Sequence, residues 1–162
     1  MDKLMLFTIA FLLLGIFMSF FTFLYSNSIV YCNHFKISLS DRGGISIPYK
    51  GSTGDEVVLL GYSNSTIKVL ELNPPGGAIL LGSFKGNFSK TFTALTFKCI
   101  TFEGCNCPAS VSAKIIVYNT SFSPIGYTIA GIFIFLGLIF LGYYKALSKS
   151  RNIKVNRSKS QL

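Results

Sequence analysis

The chain has no tryptophan, one histidine and only six acidic residues in 162. Each shortage removes a class of function. With His34 alone, the chain cannot supply the paired axial histidines of a membrane b-type haem, nor a His-Glu-x-x-His zinc motif. The sequence pairs no partner histidine with a serine or cysteine nucleophile, and neither a nucleophile elbow nor a phosphate-binding glycine loop is present. The five acidic residues of the middle segment, Asp41, Asp55, Glu56, Glu71 and Glu103, are scattered. Asp55 and Glu56 are adjacent and point apart, so they make a poor acid–base pair. No catalytic residue and no cofactor is expected.

Charge is also scarce where it would matter most. Charged residues are 13% of the chain against 50% hydrophobic, with a mean hydropathy of +0.53. Leu4–Tyr25 and Ile125–Tyr144 contain no Asp, Glu, Lys, Arg or His. About 20 apolar residues cross the hydrocarbon core, and in lipid such a segment must satisfy its backbone as a helix. The absence of ionisable groups argues against an ion path, proton relay or voltage sensor within the spans. A cleaved signal peptide is the rival for the first block. Its run exceeds an ordinary h-region, Phe17, Phe20, Phe21 and Phe23 carry it to its end, and Ser26 and Ser28 make a poor cleavage site. Cleavage there would leave a single-span protein with the same outer domain. Tyr127, Tyr143 and Tyr144 frame the second block where an aromatic belt would lie.

What is present then sets the orientation. The tail 145–162 carries Lys145, Lys149, Arg151, Lys154, Arg157 and Lys159 and no acid. Basic residues next to a span stay cytoplasmic, so both termini are expected inside and residues 26–123 outside. The tail is a topology determinant that would also attract anionic lipid, at about 1 kcal/mol per basic residue. Nucleic acid is not expected, because no aromatic residue is interleaved in the tail after Tyr144. All four cysteines, Cys32, Cys99, Cys105 and Cys107, fall in the middle segment, as do the sequons at Asn64, Asn87 and Asn119. Both fit an oxidising, glycosylating compartment. A fourth sequon, at Asn156, lies in the inner tail and should be silent.

Residues 29–118 read as about seven short strands. Val57–Tyr62 and Thr66–Leu72 flank a polar turn at Ser63-Asn64-Ser65, and Asn73-Pro74-Pro75-Gly76-Gly77 is the strongest loop signal. Ala78–Phe84 ends at a turn at Gly86-Asn87, and a long run Ser89–Phe102 follows. Ser110–Tyr118 alternates apolar and polar with a period of two. The expected fold is a membrane-anchored all-β protein: two transmembrane helices flanking a small antiparallel β-sandwich, Ig-like in general architecture but without the Cys…Trp…Cys signature. Its parts are an N-terminal helix (1–25), the outer domain (26–123), a second helix (124–144) and the basic tail (145–162). No stalk separates domain from spans, so the domain is expected to lie close to the bilayer.

Four cysteines in an exported domain imply two structural disulfides. Cys105–Cys107 is the most strained choice, which favours Cys32 with Cys105 or Cys107, and Cys99 with the other. The sharper alternatives make Cys105-Asn106-Cys107 a redox pair, or a soft-metal loop with Cys99, Cys32 and His34, although zinc-knuckle spacing is lacking. Gly126 and Ala130 form a small-xxx-small pair suited to helix packing against a partner or the first span. The function these features favour is non-enzymatic: an accessory or structural subunit whose outer domain assembles with other membrane subunits or with itself. One rival is a small subunit of a membrane oxidoreductase using cysteine chemistry on an external, sulfur-type substrate. Another is a viral or cell-surface envelope glycoprotein.

Overall fold

The computed structural model describes residues 3–41, 43–73 and 77–159, with side chains through residue 149. The chain forms two units, residues 25–122 and a pair of terminal segments, 1–24 with 123–162.

The first unit is antiparallel β throughout. Its strands are β1 (Ile29–Leu39), β2 (Gly44–Pro48), β3 (Glu56–Asn73), β4 (Gly77–Thr93), β5 (Cys99–Gly104) and β6 (Ala109–Tyr118). They join in the order β1-β6-β3-β5-β2, with β4 on the other edge of β3. The organising element is β3. Residues 56–63 pair with β6, residues 67–71 pair with β5, and β4 follows almost the whole strand on its far side. The sheet therefore has two halves hinged about Ser63–Ile67, where the register shifts.

This revises the strand pattern expected from the sequence. The Ser63-Asn64-Ser65 run is a bend inside one 18-residue strand, not a turn between two. Its polar atoms are satisfied locally: Ser63 Oγ donates to Ser65 O (2.7 Å), Ser110 N donates to Asn64 Oδ1 (2.7 Å) and Ser65 Oγ donates to Pro108 O (3.2 Å). Gly86-Asn87 likewise lies within the 17-residue β4, where Gly86 takes a left-handed φ of 76° opposite the same bend. The long run at 89–102 breaks at Ala94–Lys98. Asn73 pairs with Gly77, and Pro74, Pro75 and Gly76 between them lie outside the described residues.

Alternation builds the core. Val57, Leu59, Ile67 and Val69 of β3, Ile100 and Phe102 of β5, and Val111, Ile115 and Val117 of β6 are fully buried. Each such side chain contributes roughly 1.5–3 kcal/mol by leaving water. Phe35 of β1 meets Phe102 edge-on, with ring centroids 5.5 Å apart, so the half carrying β1 packs on the half carrying β5. The chain enters and leaves side by side: Ile29 pairs with Tyr118, and the Tyr25 and Phe122 rings meet at 5.8 Å.

The second unit contains α1 (Lys3–Ser26) and α2 (Ser123–Lys159). Both are long and apolar enough to cross a membrane, over Lys3–Ser26 and Ser123–Lys149. The pair is antiparallel, since Leu12 lies by Gly137, Gly15 by Ile134 and Thr22 by Gly126. Phe11 stacks on Phe133 and Phe140, at 6.0 and 5.6 Å. Hydroxyls within the helices return to their own backbone: Thr8 to Leu4 O, Ser19 to Gly15 O, Thr22 to Met18 O and Thr128 to Pro124 O. Such back-bonding satisfies a hydroxyl without a partner helix or water.

Candidate functional site

The most feature-rich surface of the β-domain is the outer face of β1, β6 and the first half of β3. On each of these strands alternate residues point outward. The ladders set them in rows, with His34 beside Lys114 beside Leu60, and Lys36 beside Ser112 beside Tyr62. Together with Gly61 and Ala113, His34, Leu60, Tyr62, Ser112 and Lys114 line a shallow, open groove of about 300 Å³. Its floor depends on Gly61, where a Cβ would lie 2.5 Å from Phe88 Cζ and 2.9 Å from Ala113 Cβ. The groove combines an aromatic ring, hydroxyl and amine donors and no carboxylate among its lining residues.

Two carboxylates that looked unremarkable in the sequence are buried anchors. Glu71 is 2% exposed, and its Oε1 accepts from Tyr49 Oη (2.6 Å) and Leu95 N (2.9 Å). Burial, reinforced by the hydrogen bond to Glu71, raises the Tyr49 phenol far above its ordinary value. Asp55 is 1% exposed and accepts from Ser52 N (2.6 Å) and Ser121 N (3.1 Å). Both carboxylates hold loops: Glu71 fixes the β4–β5 connection, and Asp55 ties the β2–β3 connection to the segment following β6. The Gly51-Ser52-Thr53-Gly54 run before Asp55 is turn chemistry that could have pointed to a loop anchor there, whereas Glu71 has no local signal.

The cysteines are free thiols, and the fold separates them. Cys32 pairs with Ile116, whereas Cys105 and Cys107 occupy the β5–β6 loop beyond the Leu39–Ala109 end of the same ladder. The seven steps along β1 from Cys32 to Leu39 span about 23 Å at ~3.3 Å each. Disulfide geometry requires Cα atoms within about 7 Å, so Cys32 does not bridge to that loop. Cys99 begins β5 and Cys105 lies one residue past its other end, which excludes their pairing by the same measure. The two bridges expected from the sequence are therefore not formed. Neither are Cys32, Cys99, Cys105, Cys107 and His34 gathered into one ligand set; no cluster of three or more His, Cys, Asp or Glu occurs among the described residues. Burial pushes the Cys99 thiol up, partly offset by a hydrogen bond from Ser46. Cys107 Sγ donates weakly to Cys105 O (3.5 Å) across Asn106, which adopts a left-handed φ of 60°.

Asn64 and Asn87 are exposed, while Asn119 is half-buried, with its backbone N donating to Ser28 O (3.0 Å). The side chain of Asn156 lies outside the described residues. In the helix pair, a Cβ on Gly126 would collide with the Thr22 side chain, and Ala130 is 1% exposed with its carbonyl against Gly15. Gly15 and Gly137 share this interface, whereas Gly131 and Gly142 face open space. Lys145 and Lys149 are exposed on α2. The side chains of Arg151, Lys154, Arg157 and Lys159 lie outside the described residues.

No family model matches the chain, and no curated protein matches it. Similar solved structures include a family 29 carbohydrate-binding module (TM-score 0.42, 13% identity, covering 59% of this chain and 75% of that chain). Two variants of the module CBM29-2 are similar to the same degree. One is complexed with mannohexaose (TM-score 0.41, 13% identity, 59% and 77% covered) and the other with cellulohexaose (TM-score 0.41, 12% identity, 59% and 77% covered).

Proposed function

We propose that the chain is a non-enzymatic membrane protein whose two helices anchor an extracytoplasmic, Ig-like β-domain for assembly with other membrane subunits or with a second copy. The observation that carries this reading is the exposure pattern of the helix pair. Phe17, Ile16, Leu13 and Phe135 are each more than 60% exposed, while Thr8, Thr22 and Ala130 are buried between the helices. A water-soluble helical hairpin hides most of its large apolar groups; this pair leaves many of them outside, as lipid allows, and packs Thr8, Thr22 and Ala130 inside beside the Phe11, Phe133 and Phe140 rings. The basic stretch starting at Lys145 keeps both termini cytoplasmic and meets anionic lipid. That orientation leaves Asn64 and Asn87 accessible to glycosylation outside, which accommodates a viral or cell-surface envelope glycoprotein within the same reading.

Cysteine chemistry on an external substrate loses support from the geometry. Cys99 stands apart from Cys105 and Cys107, and its raised thiol pKa disfavours the nucleophilic thiolate. Purification of the native protein in mild detergent, with mass spectrometry of everything retained, tests the assembly role. A stoichiometric partner chain or a stable oligomer is the expected result. A lone monomer at every detergent concentration overturns it. Alkaline carbonate extraction and protease protection of sealed vesicles test the anchoring and the orientation separately.

A further inference from the structure

Tyr62 stands between two of the sequon asparagines. It faces Asn87 directly across the β3–β4 ladder, and Asn64 lies two residues along the same outer face of β3. The Tyr62 side chain is 52% exposed and forms one wall of the groove shared with Leu60, Ser112, Lys114 and His34. Side chains directly opposed on antiparallel strands have Cβ atoms roughly 4.5–5.5 Å apart, so a sugar attached to the Asn87 amide starts within reach of the phenol ring. Asn64 is placed differently: its Oδ1 accepts from Ser110 N (2.7 Å), which turns its amide toward β6.

An N-acetylhexosamine presents a face of C–H bonds that packs on an aromatic face, while its hydroxyls suit donors and acceptors such as Ser112 and Lys114. A glycan joined to the neighbouring strand needs no diffusional encounter to fill the groove, because tethering alone raises its local concentration to about the millimolar range. We infer that the Asn-linked glycan of Asn87 is seated on the Tyr62 ring, with its following sugar in the groove between β3 and β6. Attachment replaces one Nδ2 hydrogen of Asn87 by the anomeric carbon of an oligosaccharide carried on a lipid diphosphate; the diphosphate leaves and the proton is released. The inference rests on the extracytoplasmic orientation proposed above. It makes the outer face of β1, β6 and β3 a covered surface, and so directs partner contacts to the opposite half of the domain.

The test uses the full-length chain expressed in a eukaryotic secretory host and purified in detergent. Glycopeptide mass spectrometry reads occupancy at Asn64, Asn87 and Asn119. An endoglycosidase that cuts between the first two sugars then reads accessibility at Asn87 under native conditions. Tyr62→Ser should speed trimming at Asn87 by roughly threefold to tenfold, from the usual strength of an aromatic contact, and Tyr62→Phe should restore the slow rate. Equal rates in all three proteins overturn the seating and leave the orientation standing. An empty Asn87 beside an occupied Asn64 or Asn119 does the same. Three empty sequons overturn the orientation along with it.

Discussion

Substituting glycines one at a time in the helix pair gives the most direct test of the packing described above. A Cβ on Gly15 would lie 2.6 Å from Ile134 Cγ1 and 3.1 Å from both Ala130 O and Ile134 N. Two of those three obstacles are backbone, so the added methyl cannot be accommodated by a rotamer change and the helices must move apart. On Gly137 it would lie 2.8 Å from Leu12 Cγ and Cδ2 and 3.3 Å from Leu12 N. On Gly126 it would strike Thr22, whose hydroxyl is committed to Met18 O at 2.8 Å. Overpacking of this kind costs about 1–3 kcal/mol per site, and helix association in lipid depends on such close packing. Gly131 and Gly142 have nothing within 4 Å of the same position. Alanine there should be neutral, or stabilising by up to about 1 kcal/mol through helix propensity.

The assay is fluorescence transfer between probes at Lys3→Cys and Lys145→Cys, in a chain whose native cysteines are serine, during titration from mild detergent into dodecyl sulfate. The antiparallel pairing puts these positions at the same end. Gly15→Ala, Gly126→Ala and Gly137→Ala should each lower the midpoint of helix separation, while Gly131→Ala and Gly142→Ala leave it unchanged or raise it. If the two groups titrate together, the interface is not the one described.

The β-domain offers further checks. Phe102→Ala removes a fully buried ring that packs on Phe35, and should destabilise the domain by about 3–5 kcal/mol in chemical denaturation. Glu71→Ala strands the Tyr49 hydroxyl and the Leu95 amide, at about 1–3 kcal/mol for each buried unsatisfied group; thermal melting that matches the parent would show that the carboxylate is not an anchor. Tyr49 has a folded pKa raised above its unfolded value near 10, so its contribution is complete below about pH 10 and lost as pH rises beyond it. The parent should lose up to about 1.4 kcal/mol per pH unit there relative to Tyr49→Phe, and parallel stability curves above pH 10 would refute this. Alkylation of the native protein without reductant should modify Cys32 and Cys107 rapidly and Cys99 slowly, given its raised thiol pKa.

The sequence was most legible where a single physical quantity decides the structure. Uninterrupted apolar length marked Leu4–Tyr25 and Ile125–Tyr144, and the helices α1 and α2 contain them. Strict alternation marked Ser110–Tyr118, and β6 is Ala109–Tyr118. Legibility failed where a polar or glycine-containing run carries two meanings. Ser63-Asn64-Ser65 and Gly86-Asn87 have turn composition, yet they sit opposite one another on neighbouring strands at the hinge of the sheet. A bend in a long strand needs the same residues as a turn: hydroxyl and amide groups to satisfy interrupted ladder bonds, and a glycine for a left-handed φ. Only the partner strand distinguishes the two, and the partner is not local in sequence.

That one misreading carries through to the site. With β3 and β4 each cut in two, Tyr62 and Asn87 belong to separate short strands with no relation, and the four cysteines can be imagined converging on one loop. With the strands whole, residues 56–63 fix the order β6-β3-β4 on one half and residues 67–71 place β5 on the other. Tyr62 is thereby set opposite Asn87, and Cys99 is held a strand length from Cys105. The same hinge bears on the Glu71 carboxylate. Glu71 lies on the inward side of the second half of β3, where Ile67 and Val69 precede it at alternate positions. Its burial is tolerable only because the fold returns to it Tyr49, which precedes β3, and the Leu95 amide, which follows β4. A substitution that straightens the hinge should therefore disturb the groove on one half and the Glu71 anchor on the other together, because β3 carries residues of both.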